Sequence, residues 1–135
     1  MLNQVLLTVD GSCLGNPGAG GYAAILQWQS YEKVIVSGAD HTTNNRMELT
    51  AVLAGLQSLK RRCRVTVVTD SHYVATILRG SRAKANLDLV QQLRQLASQH
   101  DVTVQTVPGH SGHNLNERCD QLAQAEARRY QAMES

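Results

Sequence analysis

Four acidic residues in this 135-residue chain stand where a divalent cation could be held: Asp10, Glu48, Asp70 and Asp120. Asp10 closes the run Gln4-Val-Leu-Leu-Thr-Val and precedes Gly11, and Asp70 closes the valine-rich run Arg64 to Thr69. Each therefore falls at the end of an expected strand. Glu48 shares helical spacing with Val52, Leu56 and Leu59, which turns it toward packed structure rather than open water. Carboxylates converging at one sheet edge repel one another and resist ionisation unless a cation neutralises them. Such hard oxygen donors suit Mg²⁺ or Mn²⁺ and not zinc. Two such ions can activate a water and stabilise the leaving oxygen of a phosphodiester.

Taken singly, each acid has an ordinary structural explanation. Asp10 before Gly11 fits a turn, and Asp70 fits the cap of a following helix. Glu48 lies three residues after Asn45, which is the spacing of a capping box. Asp120 fits a solvated helix position. These alternatives stay open on spacing alone.

The elements that would position the acids follow from periodicity. Strands are expected over Gln4–Asp10, Gly21–Trp28, Glu32–Ala39, Arg64–Thr69 and Val102–Val107, the second and third paired antiparallel across Gln29-Ser30-Tyr31. A glycine-rich loop is expected between the first two strands. Helices are expected from about Asn45 to Lys60, from Asp70 or Ser71 through Leu78, over Leu87–Ser98, and from about Asn114 to Met133, with Thr43, Asn44 and Asn45 as candidate caps for the first. This order implies an α/β domain with a mixed sheet. The first and fourth strands become parallel neighbours, which places Asp10 and Asp70 side by side where open α/β sheets hold their ligands.

Composition sets the frame. Residues 1–135 suit a single domain, and 42% hydrophobic with 18% charged residues is ordinary for a globular chain. A net charge of +2 permits nucleic-acid binding without arguing for it. The three cysteines, Cys13, Cys63 and Cys119, lack a CxxC spacing and read as reduced thiols. No signal peptide or membrane span is expected, so the expectation is a cytoplasmic protein. His110, His113 and Cys119 lack standard zinc spacing and a fourth soft ligand.

The segments Asp10-Gly-Ser-Cys-Leu-Gly-Asn-Pro-Gly18, Thr42-Thr-Asn-Asn-Arg-Met-Glu-Leu49, Thr69-Asp-Ser71, Pro108-Gly-His-Ser-Gly-His113 and Asn116-Glu-Arg-Cys-Asp120 resemble type 1 ribonuclease H, in the family's order and over nearly the whole chain. The resemblance implies a ribonuclease H-like fold: a five-stranded mixed sheet flanked by helices on both faces. It implies endonucleolytic cleavage of the RNA strand of RNA/DNA hybrids by a two-metal-ion mechanism, leaving 3′-hydroxyl and 5′-phosphate ends. Asp10, Glu48, Asp70 and Asp120 fall on the family's four metal-binding acids, with Mg²⁺ as the ion and Mn²⁺ as substitute or preferred ion. His110 falls on a loop histidine that assists proton transfer or product release. Gly109 and Gly112 give that loop freedom, and an imidazole titrates near neutral pH. Asn16, Asn44 and Asn45 match minor-groove contacts, and Thr43 matches part of a phosphate pocket. Gly11, Cys13 and His72 complete the expected substrate-binding set. Glycines at 11, 15 and 18 would let backbone approach the nucleic acid. Amides and backbone groups can distinguish a ribose 2′-hydroxyl, so recognition should follow shape more than sequence. The expected state is a monomer.

Three departures concern grip rather than chemistry. The segment from Ile77 to Leu87 is too short for the extra helix and basic loop, the handle, that many members carry; Arg79, Arg82 and Lys84 remain, and read either as a reduced phosphate-binding patch or as a solvated loop. His41 stands where relatives often have a phosphate-pocket arginine, and His72 where a glutamine often reads the minor groove. The asparagine completing that pocket has no secure counterpart. Fewer phosphate contacts imply weaker hybrid binding with a shallower salt dependence. Two other classes fit less of the sequence: a related nuclease acting on DNA, and a non-catalytic hybrid-binding module. A small-molecule phosphate-ester hydrolase would leave the asparagine cluster without a role.

Overall fold

The computed structural model describes residues 2–109 and 114–133. Five strands and four helices follow one another as β1 (Asn3–Cys13), β2 (Gly18–Trp28), β3 (Tyr31–Thr42), α1 (Asn44–Gln57), β4 (Cys63–Thr69), α2 (His72–Leu78), α3 (Leu87–Ala97), β5 (Asp101–Thr106) and α4 (Asn114–Met133). The strands form one sheet in the order β3-β2-β1-β4-β5. β1 pairs antiparallel with β2 and parallel with β4, and β4 pairs parallel with β5. The expected mixed sheet is present.

Alternation along the strands feeds two cores. Val5, Leu7 and Val9 of β1 join Ala24 and Leu26 of β2 against Leu49, Val52 and Leu56 of α1. On the other face Ala23 and Ile25 of β2 meet Cys119 and Ala123 of α4. A period of two sends neighbouring residues to opposite faces, so one strand serves both layers. Helices therefore cover both sides of the sheet. α4 comes close because its seat is small: a Cβ at Gly21 would collide with backbone atoms of Ala123 and Ala127.

Several boundaries differ from the sequence expectation. β1 continues three residues past Asp10 to Cys13, and β2 starts at Gly18, so the loop shrinks to residues 14–17. In the ladder that continues, Gly11 faces Tyr22, Ser12 faces Gly21 and Cys13 faces Gly20, and a Cβ at Gly20 would crowd the Ser12 carbonyl oxygen at 3.0 Å. β2 and β3 are joined by Gln29 and Ser30 alone, with Gln29 at φ 54°. α1 ends at Gln57 and not Lys60, where the Ser58 hydroxyl takes the Gly55 carbonyl at 2.7 Å. No handle helix interrupts residues 79–86.

His100 ties the far end of the sheet together. Its Nδ1 accepts the Cys63 N–H at 3.1 Å, and burial followed by the nearby Arg62 lowers its pKa below the usual imidazole value. A lowered folded value means the unfolded chain takes up the proton first, so stability is full above about pH 6.5 and falls as pH drops below it. His100→Asn should flatten the pH dependence of thermal unfolding between about pH 5 and 7, an interval set by the ordinary imidazole value. An unchanged profile would assign that slope to other groups.

Candidate active site

The parallel pairing of β1 with β4 runs level from Asn3↔Cys63 to Thr8↔Val68, which brings Asp10 and Asp70 to the same end of the sheet. Over that end stands the first half of α1. A Cβ on Gly11 would lie 2.6 Å from the Glu48 backbone nitrogen and 2.8 Å from the Met47 carbonyl carbon. Helix backbone thus sits where any other residue would put a side chain. The space beside Gly11 belongs to α1, not to a ligand, which revises the reason expected for that glycine. At Gly18 the same test meets the Leu14 carbonyl, so that glycine closes its own loop.

Asp10, Glu48 and Asp70 each offer an oxygen, and these atoms all lie within 4.8 Å of one another. Asp10 and Glu48 are buried and Asp70 is half-buried. The ordinary explanations for these acids do not hold. Asp10 lies inside β1, with Oδ1 accepting its neighbour's N–H, from Gly11, at 2.9 Å. Ser71, not Asp70, caps α2 by accepting from the Val74 N–H at 3.1 Å. Thr43 caps α1 by accepting from the Arg46 N–H at 3.2 Å, so Glu48 has no capping role. Glu48 Oε1 accepts from Asn44 Nδ2 at 3.2 Å, while Oε2 is buried without a hydrogen-bond partner among the described residues.

The electrostatics carry the same message. Burial, then the charges of Glu48 and Asp70, push the Asp10 carboxyl up to about 9. Burial and Asp70 push Glu48 up to about 8. A buried, partnerless carboxylate oxygen beside two more acids is costly unless a cation takes it. The residues present fit a divalent ion.

Asp120 is the outer member. It is half-buried on α4, accepts from Gln124 Nε2 at 2.9 Å, and adds to the upward push on both Asp10 and Glu48. Its neighbour Cys119 fixes that turn of helix, the thiol donating to the Thr8 carbonyl at 3.3 Å. Burial also raises the Cys119 thiol, to about 12, so it stays protonated and able to donate.

A second feature lies beside the acids. Asn16, Thr43, Asn44 and Asn45 line a hollow of about 430 Å³. Its fifth wall is Asn86, the residue just before the helix expected from Leu87. Its signal was present only in part: an Asn before an apolar helical run looks like a cap. Here it takes φ 55°, ψ 36° and makes no side-chain cap. Two expected contributors are placed elsewhere. The Cys13 thiol donates to the Thr42 carbonyl at 3.3 Å and toward the Gly18 carbonyl at 3.6 Å, so it braces the loop. His72 is exposed at the start of α2, outside the walls of the hollow. His110 lies outside the described residues.

The RNase H family profile matches residues 2–128. This chain belongs to the RNase H family. Ribonuclease H of Photorhabdus laumondii is 47% identical over 94% of this chain and 90% of its own. Ribonuclease H of an Escherichia coli O127:H6 strain is 45% identical over 94% and 91%. Among solved structures, the N-terminal RNase H domain of a Mycobacterium tuberculosis protein superposes with a TM-score of 0.87 at 26% identity, covering 98% of this chain and 99% of that one. The chain is thus an enzyme of a divalent-metal-dependent family, and no described helix is long and apolar enough to cross a membrane.

Proposed function

We propose that this RNase H cuts the RNA strand of RNA/DNA hybrids internally, leaving 3′-hydroxyl and 5′-phosphate ends, with Asp10, Glu48, Asp70 and Asp120 holding two divalent ions. The observation that carries the site assignment is the set of three carboxylate oxygens within 4.8 Å, one of them on a buried glutamate whose second oxygen has no partner. An oxygen-only donor set favours Mg²⁺, with Mn²⁺ as the substitute. Bound there, such ions supply the acidity that generates a hydroxide from water and the charge that steadies the leaving oxygen.

The chain's own residues do the rest. β1 holds Asp10 within a rigid strand, Asp70 follows directly on the end of β4, and Asn44 fixes one oxygen of Glu48. The hollow of Asn16, Thr43, Asn44, Asn45 and Asn86 takes the sugar–phosphate backbone, its amides able to donate to phosphate and to exchange hydrogen bonds with a 2′-hydroxyl. Gly11 and Cys13, at the end of β1, support this contact by seating α1 and bracing the loop, and His72 flanks it from the start of α2. His110 handles a proton at the reacting phosphate. Gly109, the last described residue before it, lies close to Asp70, where a Cβ would stand 3.2 Å from Oδ2. Arg79, Arg82 and Lys84 offer a small basic patch in place of a handle. We further assign the enzyme to the cytoplasm as a monomer acting through one catalytic domain, in keeping with three free cysteines.

The test is cleavage of matched hybrid, duplex RNA, single-stranded RNA and duplex DNA, each with Mg²⁺ or Mn²⁺. Cleavage confined to the RNA strand of the hybrid, with 3′-hydroxyl products, is expected. Cutting of DNA alone would overturn the substrate, and full activity in chelator would overturn the metal site.

A further inference from the structure

Asn86 is held in an unusual way for a residue at the start of a helix. Its backbone is left-handed, and its side chain turns from α3 to two other helices. Oδ1 accepts from Arg46 Nη1 of α1 at 3.4 Å, and Nδ2 donates to the Tyr73 hydroxyl of α2 at 3.0 Å. Arg46 is itself clamped by both oxygens of Asp88 in the first turn of α3, at 2.8 and 3.0 Å. That paired fork holds the Asp88 carboxyl well down, at about 2.

The chemistry of the partners decides which way the amide faces. A guanidinium only donates, so the amide oxygen must point to Arg46, and the phenol oxygen can accept from the nitrogen on the other side. With one amide hydrogen engaged by Tyr73, the second has no protein acceptor among the described residues. Asn86 is also a wall of the hollow that holds Asn16, Thr43, Asn44 and Asn45. We infer that Arg46 and Tyr73 are positioning residues, which lock the Asn86 amide with its free N–H presented to an acceptor oxygen of the substrate's sugar–phosphate backbone, Asp88 in turn fixing Arg46. This rests on the reading of the hollow as a hybrid contact. A planar fork is needed: one guanidinium reaches Asp88 and Asn86 together, which a single ammonium cannot reproduce.

The test is steady-state cleavage of a defined hybrid by the full chain. Arg46→Met should raise KM about fivefold, the order of one lost hydrogen bond, with a much smaller change in kcat. Asn86→Ala should do the same. The double variant should be no worse than Asn86→Ala alone, because Arg46 acts through that amide. Arg46→Lys, which keeps the charge opposite Asp88, should retain the raised KM. Tyr73→Phe, which leaves the ion pair in place, should raise KM about twofold and have no effect in the Asn86→Ala background.

Additive KM changes in the Arg46/Asn86 double variant would show that the arginine meets substrate itself and overturn the inference. So would a wild-type KM in Arg46→Lys, which assigns the arginine to the ion pair alone. Unchanged KM in Asn86→Ala, in an enzyme that cuts hybrid and is silenced by Asp10→Asn, would overturn the lock and leave the proposed function standing. Failure of the wild-type chain to cut hybrid at all would overturn both.

Discussion

Asp10→Asn is expected to silence the enzyme and, in chelator, to make it more stable. Loss of one charged oxygen from the three-acid cluster should slow hybrid cleavage on the order of a thousandfold, about 4 kcal/mol of barrier. The stability gain has a different origin. Asp10 titrates at about 9 in the folded protein against 3.8 for the free side chain, and Glu48 at about 8 against 4.5. Between those limits the folded form keeps protons that the unfolded form has released. Stability of the metal-free protein therefore falls as pH rises from about 4 and levels off above about 9. An asparagine removes the titration of residue 10 and weakens the push on Glu48. The gain should be near zero at pH 4 and reach about 2 kcal/mol by neutral pH. Thermal unfolding in chelator at a series of pH values measures it. Added Mg²⁺ should stabilise the wild type strongly at pH 8 and weakly at pH 5, where protons compete for the same oxygens. A variant destabilised at pH 8 in chelator would refute the idea of a mutually repelling cluster.

Gly11→Ala should damage the enzyme from within. The new methyl carbon would start 2.6 Å from the Glu48 nitrogen and 2.8 Å from the Met47 carbonyl carbon, and both are helix backbone that cannot swing aside. β1 and α1 must separate, at a cost of about 3 kcal/mol and a midpoint lower by about 10 °C. Separation also moves Glu48 away from Asp10 and Asp70. Cleavage measured well below the midpoint should then fall about a hundredfold, the usual consequence of misplacing a group by about 1 Å. Gly80→Ala is the matched comparison: Gly80 lies at φ 95° with open space around it. It should lose about 1 kcal/mol for backbone strain and keep its cleavage rate. Equal activity loss in the two variants would mean that the Gly11 effect is loss of fold alone.

The sheet was legible in the sequence because the core strands are continuous apolar runs and the helices carry their own period. Val5 to Val9 and Val65 to Val68 read as buried strands, and the order of elements made them candidates for parallel neighbours, the pairing the structure has. The carboxylates were legible only as a group, since each sat at a position that a cap or a turn also explains. The structure separates these readings because Thr43 and Ser71 do the capping. What could not be read was tertiary. Strand continuation through Gly11 to Cys13 depends on glycines in β2 facing it. The Arg46–Asn86–Tyr73 arrangement joins residues far apart in the chain with no shared pattern. Cys13 could be placed in a motif, but the two carbonyls its thiol serves could not be read from that motif.

The level register of β1 with β4 also bears on when the protein becomes dangerous to nucleic acid. Asp10 and Asp70 meet only after the chain has gone out through β2, β3 and α1 and returned, and Glu48 joins them from the middle of that excursion. No segment shorter than residues 10–70 carries the trio. A nascent or partly unfolded chain has its acids dispersed, each ionised and unable to chelate as a set. The cutting edge is therefore drawn only when β4 has returned to pair with β1, and the fold serves as its own sheath.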